Sequence, residues 1–586
     1  MKRLKLLVLA AALIAGHANA SDKKPMTMVG SQPGQLQLGD KMVVNPSTTG
    51  AASIKIPQGT PPAAPSDGDC WMTAATGLAC AVNGTAVPAG VPYQDVSTGA
   101  RVRSITAKLA DMTDVQDFNG CDATGVSDST ACFQSALNKY SGGAGGIVRF
   151  KGAYRIASNL TIPVGVMLKG SCDMPGTPGN NSSVPYNLYT CGILRLASTA
   201  SITMMSGSGI SSAIIYRYGM SFPSVDSSAY AGTAIVSSAD DISISRAMII
   251  GFNKAFNCTA CQRPRIDYLY ADNINNIEIS ASLDIPWISH LHAWPFGTIG
   301  GTGGTNQNNG RQGDCIYLHD TVDWSHISDS FCYGYLHGLH IKNVNTTSVI
   351  GFSTDNLFDT VPILANSVGI LIEGFSADTR VVGFQGAAQA RAGIEVATDA
   401  GVTSLNDTTV FGGSAYGILV SKGDTIINGG LLGTNAPIVN GVVVASSTAQ
   451  VSINNVRFGN VTGTAVGTTV PTSKVFLNGN DFGSFTGGIA NSTMTVQSIA
   501  SASTLVVPNT GSVFNVTGTT SFGQIANGYA GKCATFVFAG ALSVYSSTGS
   551  YGAIHLNGGG TFTSVANDTL TACHNGTQWF ETGRSH

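Results

Sequence analysis

The sequence predicts an all-β protein, a right-handed parallel β-helix with small antiparallel β modules at both ends. Three observations lead there. Glycine-aliphatic pairs recur at a constant 24-residue interval, as Gly369-Ile370, Gly393-Ile394, Gly417-Ile418 and Gly441-Val442. A fixed period in this range marks stacked supersecondary units. Each pair opens a short alternating strand, such as Ile370-Leu-Ile372 or Ile394-Glu-Val396, and a second apolar set follows at Val381-Val382, Val410-Phe411, Ile426-Ile427 and Val451-Ser-Ile453. The composition agrees: charged residues are only 11% and glycine is 72 of 586. That is too little Lys, Glu and Arg for long solvated helices, and it suits strands joined by tight turns. Each coil adds one inter-strand spacing of ~4.8 Å. Coils running from about 145 to 490 would number roughly fourteen at that period.

Taken in order, residues 1–20 read as a signal peptide. Lys2, Arg3 and Lys5 precede the apolar stretch from Leu6 to Ala15, and Ala18-Asn19-Ala20 has the form of a cleavage site after Ala20. The mature chain is therefore expected to be secreted, periplasmic or at the cell surface. Residues 21–110 are a Pro/Gly-rich linker and a small β-module, with Asn83-Gly84 as its hairpin turn. The β-helix is expected over 111–495. It opens with a capping helix at about 128–140, where Ser127-Asp-Ser-Thr130 supplies the N-cap, Phe133, Leu137 and Tyr140 the buried face, and Gly142-Gly143 the stop. Such a helix shields the open end of the first coil. From 496 to 586 shorter strands read as a C-terminal β-domain.

An even set of twelve cysteines in an exported chain reads as disulfides. Pairing of nearest neighbours gives Cys70–Cys80, Cys121–Cys132, Cys172–Cys191, Cys258–Cys261, Cys315–Cys332 and Cys533–Cys573. The net charge of −3 offers no general basis for nucleic-acid binding, and no apolar run after the leader reaches membrane-spanning length.

The run Val115-Gln-Asp117-Phe118, Asp122-Ala-Thr124-Gly125, Gly145-Gly-Ile-Val148-Arg-Phe150 and Leu160-Thr-Ile162-Pro163-Val-Gly165-Val166-Met-Leu168 resembles the opening of the pectate-lyase superfamily of right-handed β-helices. That superfamily includes lyases, glycoside hydrolases and phage tailspikes. The closing segment Gly576-Thr-Gln-Trp579-Phe-Glu-Thr-Gly-Arg584 resembles the terminal module of phage tail proteins, a resemblance that implies a homotrimer.

Candidate chemistry is densest between 284 and 340, which holds six of the ten histidines and three of the five tryptophans. Carboxylates and imidazoles beside aromatic faces are what a carbohydrate site requires. Asp314, Asp320, Asp323, His337 and His340 are the candidate catalytic residues. His292, Trp294, Tyr317, His319 and Trp324 are the candidate substrate-binding residues. Gly313-Asp314-Cys315-Ile316 with Cys332 and His337-Gly338-Leu339 resembles segments of the polygalacturonase family, which would make Asp314 a catalytic carboxylate and His337 its support. The second aspartate of that pattern is missing here. Strand alternation turns Tyr317, His319 and His340 outward, and gives Asp314 and His337 the inward parity.

Two chemistries stay open. Inverting hydrolysis needs a second carboxylate ~6.5–9.5 Å away, with Asp320 or Asp323 as candidates. A lyase needs a basic side chain and neutralisation of a uronate carboxyl, for which Tyr317, His319, His340 and Lys342 qualify. No cofactor is implied with certainty. Calcium is one candidate, since Asp240-Asp241 with Asp267 and Asp272 could form an acidic cluster across coils. The expected function is thus degradation of an extracellular polysaccharide, and the alternative is a non-catalytic glycan-binding fibre.

Overall fold

The computed structural model describes residues 112–143, 145–173, 191–220, 227–297, 311–356, 365–469, 474–483, 497–508 and 512–585, with the backbone of short strands between Cys70 and Ser104. The leader and its cleavage point lie outside the described residues. So does the Cys70–Cys80 bridge, although the backbones of these residues face each other where Cys70–Thr73 pairs antiparallel with Gly77–Val82. The chain divides into two compact units, Met1–Thr113 and Asp114–His586. In the first, a three-stranded antiparallel sheet includes a hairpin with Val82 opposite Thr85.

The second unit is dominated by a 33-stranded sheet with parallel pairing, wound as a parallel β-helix with three faces. The first face runs from Gly146–Arg149 through Val166–Lys169 and Trp287–Ser289 to Lys474–Asn478. The second runs from Gly152–Ile156 through His292–Ala293 and Phe331–Tyr333 to Asp481–Phe482. The third runs from Leu160–Ile162 through Asn275–Ser280, Arg311–His319, Tyr335–Lys342 and Val368–Gly374 to Val466–Thr468.

The 24-residue repeat is the pitch of the third face. Ile277, Ile316, Leu339, Ile370, Ile394, Ile418, Val442 and Val466 stand in register on successive rungs, all essentially buried. The glycines before Ile370, Ile394 and Ile418 have a steric cause. A Cβ at Gly369 would lie 2.5 Å from the Gly393 carbonyl oxygen, one at Gly393 would lie 2.8 Å from that of Gly417, and one at Gly417 would lie 2.7 Å from that of Gly441. At these three rungs only a residue without Cβ lets the coils stack this closely. On the first face, Asn406, Asn428 and Asn454 form an amide ladder at 3.2 and 3.0 Å.

The capping helix is Thr130–Asn138, with Cys132, Phe133, Ala136 and Leu137 buried. Phe133 packs edge-on against Phe150 and Tyr154, at 5.5 and 4.9 Å between centroids. Ser129 makes no side-chain cap. Asp128 does that work instead, its Oδ1 accepting from the Thr130 amide at 3.0 Å. The C-terminal strands have their own core around Phe514, Phe536, Phe538 and Trp579. Their six-stranded sheet is mixed rather than antiparallel, because Val513–Thr517 runs parallel to Cys533–Phe538 while Thr569–His574 runs antiparallel to it. Disulfides join Cys121–Cys132, Cys172–Cys191, Cys258–Cys261, Cys315–Cys332 and Cys533–Cys573. Among the described residues no helix is long and apolar enough to cross a membrane.

Candidate functional site

Four consecutive rungs of the third face carry the site. Glu278 pairs with Tyr317 and Tyr317 with His340; on the next outward column His319 pairs with Lys342 and Lys342 with Glu373. Asp314 pairs with His337. The inward parity given to these two residues by alternation is wrong, for a visible reason. The register shifts between Arg311 and Asp314, and Cys315 and Ile316 are both fully buried, so an inward pair replaces alternation. Gly338 breaks the partner strand likewise: it is buried with Leu339 on one side, and a Cβ there would meet the Gly369 carbonyl oxygen at 2.7 Å. Asp314 and His337 are thereby turned to the same outer surface as Tyr317 and His340.

There the side chains lock together. Asp314 Oδ1 is 2.6 Å from His337 Nδ1, and Oδ2 is 3.0 Å from His340 Nδ1. The Asp314 amide donates to Asn275 Oδ1 at 2.9 Å. The other nitrogen of His340, Nε2, is 3.2 Å from Glu373 Oε1, to which Lys342 Nζ also bonds at 2.9 Å. The Tyr317 ring is sandwiched between His319 and His340, with centroids 4.2 and 4.4 Å away. His319 in turn places Nδ1 2.7 Å from Asp320 Oδ2 and Nε2 3.5 Å from Glu278 Oε1, and Lys254 Nζ holds the second Glu278 oxygen at 2.6 Å.

The electrostatics follow from this pairing. Burial pushes the Asp314 carboxyl up, but bonds to His337 and His340 and their charge outweigh it and bring it down to about 2. Burial likewise raises Glu373, and Lys342 and His340 overcome it to leave a net lowering. The nearby His319 imidazole lowers Glu278 and, reciprocally, Glu278 raises His319 above the ordinary imidazole value. Burial raises the Tyr317 hydroxyl, keeping it protonated. Glu278, Asp314 and Glu373, like Asp320 beside them, whose carboxyl the bond to His319 lowers, are therefore anions at neutral pH, and the proton-bearing groups are Tyr, His and Lys.

The other residues singled out in the sequence lie elsewhere. His292 and Trp294 belong to an aromatic cluster on the second face with Tyr270, Phe296, Phe331 and Tyr333, where burial lowers His292. Asp323 and Trp324 sit in the turn beyond the third face. Asp323 Oδ1 accepts from the Trp324 amide at 2.9 Å, a turn-capping role, while the Trp324 ring is 57% exposed. The residues proposed for calcium do not converge. Asp241 pairs with Arg263, Asp267 with Ser289 and His290, and Asp272 with the fully buried Arg311. A group that can converge on a cation is instead Asp314, His337 and His340, whose ligand atoms lie within 4.8 Å of one another. A Gly/Asn-rich stretch between Phe296 and Arg311 falls mostly within residues 298–310, outside the described residues.

Glu278, Glu373 and Lys254 are not among the residues singled out in the sequence. The available signal was the outward position in Ile277-Glu278-Ile279 and Ile372-Glu373, but coils of unequal length between 278 and 373 hide which outward residues are stacked.

No family model and no curated protein matches the chain. Among solved structures, the tailspike protein of E. coli bacteriophage HK620, as a double mutant, aligns at 12% identity and a TM-score of 0.46, covering 84% of this chain and 95% of that one. The catalytic unit of the GH87 α-1,3-glucanase of Streptomyces thermodiastaticus aligns at 13% and 0.42, over 68% and 74%. The A-module of the Azotobacter vinelandii mannuronan C-5 epimerase AlgE6 aligns at 13% and 0.40, over 64% and 99%. With these three TM-scores below 0.5, the fold assignment rests on the strand pairing itself.

Proposed function

We propose that the third face of the β-helix binds an acidic extracellular polysaccharide and cleaves it by β-elimination. One observation carries this reading: Glu278, Asp314 and Glu373 are all held ionised by basic partners. Hydrolysis with paired carboxyls needs one kept protonated as the general acid, and none of the three meets that need. Elimination asks for something this face has, namely Tyr, His and Lys side chains side by side on adjacent rungs.

In such a reaction the base removes the C5 proton next to the uronate carboxyl, the C4–C5 double bond forms, and the C4–O bond breaks as its oxygen takes a proton. His319 is the base through an unprotonated Nε2, with Nδ1 kept on Asp320 at 2.7 Å, once Nε2 turns outward from beside Glu278, 3.5 Å away. The Tyr317 hydroxyl, kept protonated by burial, donates to the leaving oxygen. Lys342, 43% exposed, offers the charge that meets the carboxylate. Asp314, His337, His340 and Glu373 fix the wall against which Tyr317 stacks. The five bridged cysteine pairs fit work in an oxidising compartment.

The test is incubation with polygalacturonate, alginate and other uronate-containing chains. Growth of the unsaturated-uronate absorbance, lost in Tyr317→Phe, is expected. A second reading, a glycan-binding fibre without catalysis, draws on the same pairing, since every charge on the face already has a partner. Retention of these glycans with no new ends of either kind would favour it and defeat the first.

A further inference from the structure

We infer that Asp314, His337 and His340 form a site for one divalent transition-metal ion, with Glu373 as the outer partner of His340. Two ring nitrogens converge on one carboxylate: Nδ1 of His337 is 2.6 Å from Oδ1, and Nδ1 of His340 is 3.0 Å from Oδ2. Glu373 occupies the far side of His340, with Oε1 3.2 Å from Nε2. His340 thus stands between two carboxylates, which only accept. A cation bound by Nδ1 of each ring and an Asp314 oxygen takes the place of the ring protons that face Asp314 and makes three bonds there. The ligand atoms are already gathered within 4.8 Å.

The second shell is equally specific. Imidazoles that bind metal donate their other N–H to a carboxylate, which fixes ring and tautomer. Glu373 does this for His340 and is itself held by Lys342 at 2.9 Å. Two imidazole nitrogens and one carboxylate oxygen suit zinc, cobalt or manganese, whereas calcium takes 6–8 oxygen ligands. The three side chains are 15, 17 and 11% exposed, leaving the outward side for an anionic oxygen. That this oxygen is a uronate carboxylate rests on the elimination reading; ion binding does not.

The test is equilibrium dialysis of the full chain at neutral pH against Zn²⁺, Co²⁺, Mn²⁺ or Ca²⁺ separately, followed by metal analysis and thermal melting without glycan. One transition-metal ion per chain, with a raised melting temperature, is expected. His337→Ala and His340→Ala should each weaken binding by about 100-fold or more, and Glu373→Gln by about 10–100-fold. Asp323→Asn should leave binding unchanged. Should the histidine variants not fold, X-ray absorption of the cobalt-loaded wild type must show two imidazole scatterers. Failure of the wild type to retain any transition metal, retention undiminished in folded His337→Ala or His340→Ala, or binding of calcium alone would overturn the inference. Unsaturated ends formed by a protein that binds no ion would sink the metal site and leave the elimination reading standing.

Discussion

Asp314 and His337 meet at 2.6 Å on the outer surface of the third face, although each occupies a position that simple alternation would turn into the core. The inward pair Cys315-Ile316 and the buried Gly338 achieve this. The β-helix thus departs from its own regularity at the point where it gathers ionisable groups, as expected where local rules are broken for function.

The contact makes a prediction about acid stability. The Asp314 carboxyl, lowered to about 2 in the folded chain, favours the folded state while it is ionised. This contribution, about 2 kcal/mol from the size of the shift, is fully present above the ordinary carboxylate range and is lost as pH falls through about 2. Asp314→Asn should flatten the stability profile between pH 4 and 2 in denaturant titrations. A profile that keeps the wild-type slope contradicts the pairing.

His319 sets the pH dependence of the reaction. Glu278, and then Asp320, raise it above the ordinary value near 6.5. A base must be unprotonated, so kcat/KM should rise with pH along a limb lying above that value. Glu278→Gln removes the largest cause and should move the limb to lower pH. A limb that stays in place in the variant would remove His319 from the role of base.

Tyr317→Phe keeps the stacked ring and deletes the hydroxyl. Loss of a positioned general acid typically costs ~10²–10⁴-fold in rate, so kcat should fall by that range with an unchanged melting temperature. A fall below tenfold would assign the proton donation elsewhere.

Gly369→Ala tests the stacking rule of the coils. The added methyl meets the Gly393 carbonyl oxygen at 2.5 Å and the Phe384 ring at 2.6 Å, so the variant should lose ~1–3 kcal/mol in chemical denaturation, as overpacked cores do. No loss would show that the coil spacing can relax there.

Much of the fold was legible because its period is written in residues that the stacking demands. Gly369, Gly393 and Gly417 must lack a Cβ, and Ile370, Ile394 and Ile418 fill the interior in one column. The site was legible only as a neighbourhood. Asp314, Tyr317, His319, His337 and His340 stood close in sequence and do meet. Glu278 and Glu373, separated from Tyr317 by coils of unequal length, do not announce that they share its surface. His292 and Trp294 looked equivalent to the others by composition, and a change of face sends them to a separate cluster. The parity of Asp314 was misread because a bulge leaves no period in the sequence.

Mass spectrometry of cleavage in heavy-oxygen water tests the central claim most directly. Elimination adds no water across the broken bond, so fragments from a uronate-containing chain should carry one unsaturated end per cut and no heavy oxygen at the new ends. Incorporation of one heavy oxygen per cut would mean hydrolysis and would contradict the account of this face.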